Sequence, residues 1–318
     1  MHRSSGQGNL GEVWLSSELG QNARLDRIAA AFDWAAVDRL VRVIYASRTG
    51  RPSWPPLMLV KALLLQQWYG LSDPGLEEAL SDRLSFRRFV GLGLDAGQPD
   101  HSVISRFRKQ LRERGLDQAL FEEVERQLQA RGLLLKSGTL MDATVVSAAV
   151  KKPGGPAGAR APSDPDADWT RKGGKTWLGY KAHLGVDEGS GLIRRAELTS
   201  AKVYESQVAE ALICGDERAV YGDRAYEHKA RRRRLKAAGI KDRIMHRSHR
   251  NQAALPPWQA RRNRLISPIR AAVERVFGTL KRSYGYTRVR YRGLAANLLQ
   301  LRFLCIAYNL RRADTLLA

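Results

Sequence analysis

The chain has 318 residues, 43% of them apolar, which excludes wholesale disorder and leaves room for two domains with cores of their own. Its 54 Lys and Arg against 32 Asp and Glu give a formal charge of +22, a self-repulsion that implies a polyanionic partner, nucleic acid first. No apolar run approaches a membrane span, the N-terminus has no apolar leader core, and Cys214 and Cys305 have no paired spacing, so a reduced, cytoplasmic protein is expected.

The first 132 residues read as helices. "PPLMLVKALLLQQWY" places apolar residues at three-to-four spacing between a start at Ser53 and Pro55 and a stop at Gly70. "SDPGLEEALSDRL", "DHSVISRFRKQLRER" before Gly115 and "DQALFEEVERQLQAR" before Gly132 repeat that punctuation. In "DHSVISRFRKQLRER", Arg106, Lys109 and Arg112 recur every three residues, while Val103, Ile104, Phe107 and Leu111 form an apolar stripe. The cationic face is either a DNA contact or the solvated side of a bundle helix.

Beyond residue 136 the period changes. "SGTLMDATVVSAA", "WLGYKAHLGVDE" and "GLIRRAELTSA" are rich in β-branched and aromatic residues and read as three antiparallel strands, the last two joined by the turn "DEGSG". "ESQVAEALIC" reads as helix, "AVYGDRAY" as strand, "KARRRRLKAAG" as helix and "KDRIMHR" as strand, an α+β pattern with a mixed sheet. Between the first two strands, "KKPGGPAGARAPSDPDADWTRKGGK" has the composition of a mobile loop. Its "DPDAD" is no calcium loop, since Trp169 and Lys175 stand where glycine and glutamate are needed. His183 is expected as an exposed strand histidine, with facing the site as its alternative, Trp258 as packed within a loop, with stacking on an unpaired base as its alternative, and the four arginines 231 to 234 as a helix face on a phosphate backbone.

Three acids stand out by context. Asp142 interrupts the apolar strand "TLMDATVVS", and Asp223 follows Gly222 at the end of a second strand, a glycine that leaves the backbone free to turn. Glu274 is the sole acid between Asp242 and Asp314, on a helix that Ser267 and Pro268 would open and Gly285 would close, with Arg270 and Lys281 on its face. Each alone could be a structural ion pair. Together, in so basic a chain, they suggest one site in which mutual repulsion is relieved by a divalent cation, and oxygen donors favour Mg²⁺ or Mn²⁺ over Zn²⁺.

With these elements in place, the chain resembles a known family. "LMDATVVSA", "DPDADWTRKGGKTWLGYKAHLGVDEGSGLI", "VYGDRAYE" and "VERVFGTLKRSYGYTRVRYRGLAANLLQL" are similar to the catalytic blocks of DDE transposases of the fifth bacterial insertion-sequence family, and "PPLMLVKALLLQQWYGLSDPGLEEALSDRLSFRRFVGL" with "PDHSVISRFR" to its helical N-terminal domain. The resemblance covers about residues 35 to 312. It implies a helical DNA-binding domain over 1–132 and an RNase H-like catalytic domain over 133–318. Asp142, Asp223 and Glu274 match the catalytic, metal-holding triad, and Arg270, Glu274 and Lys281 match the last three residues of a Tyr-Arg-Glu-Lys signature whose Tyr is Ser267 here. Two Mg²⁺ ions, with Mn²⁺ as a substitute, would serve cleavage of element ends and their joining to target DNA. Arg270, Lys281, Arg282, Arg288, Arg290 and Arg292 join the Arg106 face as candidate DNA contacts. A dimer or higher oligomer on double-stranded DNA, in the bacterial cytoplasm at the nucleoid, completes the expectation. A nuclease without strand transfer and a non-catalytic DNA-binding protein are the alternatives.

Overall fold

A computed structural model describes residues 19–45, 53–151, 163–248 and 254–318. Residues 152–162, most of the Gly- and Pro-rich stretch, and residues 1–18 lie outside the described residues. The chain divides into two compact units, one of residues 1–130 and 302–318, the other of residues 131–301.

The first unit is helical: α1 (Ala23–Ala31), α2 (Trp34–Val41), α3 (Pro56–Tyr69), α4 (Asp73–Asp82), α5 (Leu84–Val90), α6 (His101–Glu113) and α7 (Leu116–Ala130). The local signals act as read: Gly70 closes α3 at φ 66°, a left-handed turn that favours glycine, and Asp100 caps α6 by accepting the Val103 N–H at 2.8 Å. The α3 start differs, because Pro55 rather than Ser53 occupies the cap. The last helix, α12 (Leu294–Leu317), contributes residues 302 onward to this unit. Asp117 accepts from Arg302 at 2.7 Å, Asp314 accepts from Arg27 at 2.6 Å, and the Trp68 indole donates to the Ala307 carbonyl at 2.7 Å. Asp117, Asp314 and Trp68 are buried, so these bonds tie the end of α12 into the first unit.

The second unit is built on a six-stranded mixed sheet. Its strands are β1 (Thr139–Ser147), β2 (Asp168–Lys172), β3 (Lys175–Asp187), β4 (Ile193–Ser200), β5 (Ala219–Gly222) and β6 (Lys241–Ile244). The long β3 pairs antiparallel with β1 along one side; on the other it pairs with β2 over its first residues and with β4 over the rest. β5 and β6 run parallel to β1 and extend the sheet past it. The fourth antiparallel strand, β2, lies within the stretch that composition marks as a loop. A two-glycine turn, Gly173 and Gly174, both at positive φ, lets it fold back on β3. On one face Met141, Val220, Ile244, Leu212 and Leu235 form a core with α8 (Glu205–Leu212) and α9 (Lys229–Ala237). Gly222 serves that packing, since a Cβ there would stand 3.2 Å from that of Tyr226 and 3.3 Å from the Met141 methyl. Its φ is not positive, so close approach and not a backbone turn requires the glycine.

The acids of "DPDAD" have structural work. Asp164, fully buried, accepts from the Tyr180 hydroxyl at 2.6 Å and from the Gly293 N–H at 3.0 Å, and Asp166 accepts from the Leu294 N–H at 2.7 Å. Both carboxylates thus satisfy free N–H groups at the start of α12, where negative charge is favoured.

Candidate active site

Residues alternate in direction along β1, so Asp142 points away from the core that holds Met141. Its side chain is 17% exposed. One oxygen accepts the adjacent Ala143 N–H at 2.8 Å and the other accepts from the Arg270 guanidinium at 3.1 Å. Burial pushes its pKa up to about 6; the charge of Asp223 adds to the rise, while the Ala143 N–H, Arg270 and Lys172 oppose it. The carboxylate is therefore short of solvation where it stands, and Arg270 offsets this only in part.

Asp223 directly follows β5, the strand beside β1, and its carboxylate accepts the Ala225 N–H at 2.8 Å in a short 3-10 turn. Parallel pairing of neighbouring strands brings these two acids to the same region of the sheet.

Glu274 comes from the helices that follow. Ser267 and Pro268 do not open its helix; they lie inside α10 (Pro257–Arg270), and a second helix, α11 (Ala272–Arg282), starts after Ala271. Proline lacks the N–H that a continuous helix would use and crowds the preceding turn, so a tightened turn follows, with Glu274 N–H bonded to the Ala271 carbonyl at 3.1 Å. Arg270 and Glu274 therefore belong to different helices but remain four residues apart on one side, 3.4 Å from guanidinium to carboxylate. Arg270 bridges the sheet acid Asp142 and the helix acid Glu274, and its Nε is buried without an acceptor. Glu274 itself is 63% exposed, its carboxylate open to solvent.

Lys281, on α11, donates to the Val145 carbonyl of β1 at 3.3 Å. Burial and the charge of Lys172 hold its pKa below the usual lysine value. Lys172, at the tip of β2, is thus felt by both Asp142 and Lys281, a site residue that the Gly- and charge-rich composition of its segment does not single out. Tyr226, wholly buried, is a second: the charges of Asp142, Asp223 and Arg270 all reach its phenol, which burial holds far above the ordinary tyrosine pKa.

Among the described residues, the one trio of potential ligands within 4.8 Å of one another is Cys214, Asp216 and Glu217, not the triad. Glu217 there accepts the Cys214 and Gly215 N–H groups, and Asp216 is paired with Lys136 and Arg194. The triad is wider and less satisfied by protein donors. Carboxylate oxygens from a strand, the end of a second strand and a helix, one lifted toward neutrality by burial, fit hard divalent cations.

The other candidate residues divide. Arg106, Lys109 and Arg112 are exposed on α6, opposite buried Ile104, Phe107 and Leu111. Arg282 and Arg292 are exposed and Arg290 is half-buried. Arg288 is committed to structure, donating to the Ala148 and Ala149 carbonyls at 2.8 and 2.7 Å beyond β1. Of the four consecutive arginines, Arg231 is buried against Glu210 and the Tyr226 and Ser206 carbonyls and Arg232 is paired with Glu227 and Asp242, so the run is no uniform backbone-binding face. His183 is neither exposed nor near Asp142. It pairs in register with Ala143, hence lies on the opposite face, where its Nε2 meets the Thr199 hydroxyl at 2.9 Å and burial pushes its pKa down to about 3. Trp258 is on the first turn of α10, 61% exposed, instead of packed within a loop.

Family comparison decides what this arrangement belongs to. Residues 134–310 match the model described as "Transposase DDE domain". The chain belongs to that transposase family. Residues 14–110 also match a "Transposase domain" model, so family matches cover both the helical and the sheet-bearing parts of this transposase. Divalent metal dependence is general to the DDE domain. Among solved structures, a chain of the "Crystal structure of the Mos1 Strand Transfer Complex" matches over 91% of this chain and 100% of its own length, at 11% identity and a TM-score of 0.20, a likeness too slight to bear on fold or function. No helix among the described residues is long and apolar enough to cross a membrane.

Proposed function

We propose that this DDE-family chain is the transposase of a bacterial insertion sequence, of the fifth insertion-sequence family, that binds element ends, cleaves phosphodiester bonds and joins the 3′-hydroxyl ends to target DNA. The observation that carries the reading is the convergence at Arg270 of a strand carboxylate and a helix carboxylate, with the charge of Asp223 also felt at Asp142. Asp142, Asp223 and Glu274 would hold two Mg²⁺ ions, or Mn²⁺ in their place. When bound, these ions supply Lewis-acid stabilisation of the charge that develops on the attacking and leaving oxygens. The protein's own part is to set Arg270 and Lys172 against the burial that disfavours the Asp142 charge, to hold Glu274 in reach through Arg270, and to offer Lys281 and Lys172 to an entering DNA phosphate. No side chain is required as nucleophile, because water and then a DNA 3′-hydroxyl fill that role.

Recognition of element ends is assigned to the exposed α6 face of Arg106, Lys109 and Arg112, which a major groove could accept. Arg282, Arg290 and Arg292 are assigned to backbone contacts. The protein would act as a dimer or higher oligomer on DNA, in the bacterial cytoplasm. Incubation of purified protein with labelled element ends, target DNA and Mg²⁺ tests the reading. Joined products are expected; cleavage that never yields joined ends would make the protein a nuclease, and neither cleavage nor joining would remove the enzymatic assignment.

A further inference from the structure

A second cationic feature lies on the sheet-bearing unit, apart from the three carboxylates. An open cleft of about 560 Å³ runs beside β6, the edge strand, between α9 and α10. Arg232, Lys236, Lys241, Asp242, His246 and Arg262 line it. Its inner part is constructed. Asp242 pairs with both Arg232 and Arg262, and the two guanidinium groups also donate to the Ile244 and Asp242 carbonyls, which satisfies the open edge of β6. Glu227 and Arg232 both meet Nδ1 of His246 at 3.4 Å and Arg262 meets Nε2 at 3.2 Å, so charged side chains hold the ring from both sides. Burial, Arg232 and Arg262 keep that imidazole neutral at physiological pH.

The outer part is different. Lys236 and Lys241 are exposed, line the cleft and have no ion pair among the described residues. Trp258, 61% exposed, lies outside the lining but stands edge-on to the lining His246 at 5.2 Å. Against four lining cations there is one lining acid, already doubly paired. A groove with fixed guanidinium groups and free ammonium groups fits a chain of phosphates. Its two guanidinium groups are already engaged by Asp242 and the β6 carbonyls, which leaves the ammonium point charges for backbone contact.

We propose that this edge-strand cleft is a DNA backbone groove, gripping the strand beside the cleaved bond. The inference rests on the functional reading above and extends it to a second contact. α10 links the two places: Arg262 lines the cleft and Arg270 holds the carboxylates, eight residues and therefore about 12 Å apart along the helix. At about 3.4 Å of rise per nucleotide, a duplex lying along α10 has the gripped phosphates within about four nucleotides of the cleaved one.

The test uses the full chain with Lys236→Ala/Lys241→Ala, whose side chains support nothing else. Its control, Lys229→Ala/Arg233→Ala, removes two exposed cations from α9 outside the cleft. The dependence of binding to a labelled element end on salt is measured, followed by ethylation interference mapping. The cleft variant is expected to lower the slope of log K against log salt by about two, and to lose interference at phosphates within about four nucleotides of the cleavage point, while the control keeps that interference. An unchanged slope and map in the cleft variant, or equal loss in the control, overturns the groove while DNA binding by wild type leaves the transposase reading intact. Wild type that retains no DNA at all would sink both.

Discussion

Two acid-rich regions of the sheet-bearing unit look alike in composition and behave differently. Asp164 and Asp166 are consumed by the Tyr180 hydroxyl and by the first N–H groups of α12, so their charge is spent on holding the chain. Asp142, Asp223 and Glu274 share one bridging guanidinium and two local backbone donors, and the best buried of them is lifted to about 6. Asp164 takes both its donors on one oxygen and its other oxygen is sealed from solvent, whereas the triad's carboxylates stay reachable, Glu274 at 63% exposed, and reachable carboxylates are those available to a cation.

Substitution should separate the regions at once. Asp142→Ala, Asp223→Ala and Glu274→Ala are each expected to lower cleavage and joining by about a thousandfold or more while DNA retention in a mobility-shift assay stays near wild type, because ligands are lost and phosphate-binding cations are not. Asp164→Ala should do the reverse of a site mutation: it strands a buried hydroxyl and a helix-start N–H, and is expected to cost about 2–4 kcal/mol in denaturant unfolding. Stability unchanged in Asp164→Ala would erase the distinction.

Proton linkage gives a smaller effect of defined sign. Asp142 is raised in the folded state to about 6, so the native protein binds a proton that the unfolded chain has released, and this stabilises the fold below pH 4 and is lost as pH rises to about 6. His183, depressed to about 3, acts oppositely: its contribution is present above pH 6.5 and lost as pH falls. In metal-free protein, Asp142→Asn should therefore be more stable than wild type at pH 7, by up to about 3 kcal/mol, with the gain vanishing toward pH 4. A gain independent of pH would contradict the assigned burial. The smallest effect belongs to Lys281→Ala, expected to lower the salt slope of DNA binding by about one unit and to slow cleavage; an unchanged slope would leave Lys281 with only its bond to Val145.

Much of this was legible in the sequence because local signals and tertiary demands agree. The Asp142 strand, the hairpin of β3 and β4, and the helices stopped by Gly70, Gly115 and Gly132 all follow from periodicity and turn residues. The rest depended on partners far along the chain. β2 is unreadable in a segment of Gly, Pro and charge until β3 supplies its ladder, and Lys172 was missed with it. Pro268 has the look of a helix start, yet α10 had already begun at Pro257. The burial of His183 and the exposure of Trp258 follow from which face each residue meets, which a strand's alternation or a lone tryptophan does not state. Arg288 has the charge of a DNA contact, but the carbonyls after β1 claim it.

The central claim is that the three dispersed carboxylates, and not the tighter Cys214 trio, hold the working cations. Manganese binding to the protein–DNA complex, followed by electron paramagnetic resonance, tests it most directly. Wild type and Cys214→Ser should bind two Mn²⁺ per active site, and Asp142→Asn/Asp223→Asn/Glu274→Gln none; retention of both ions by the triple variant, or their loss in Cys214→Ser, would contradict the account.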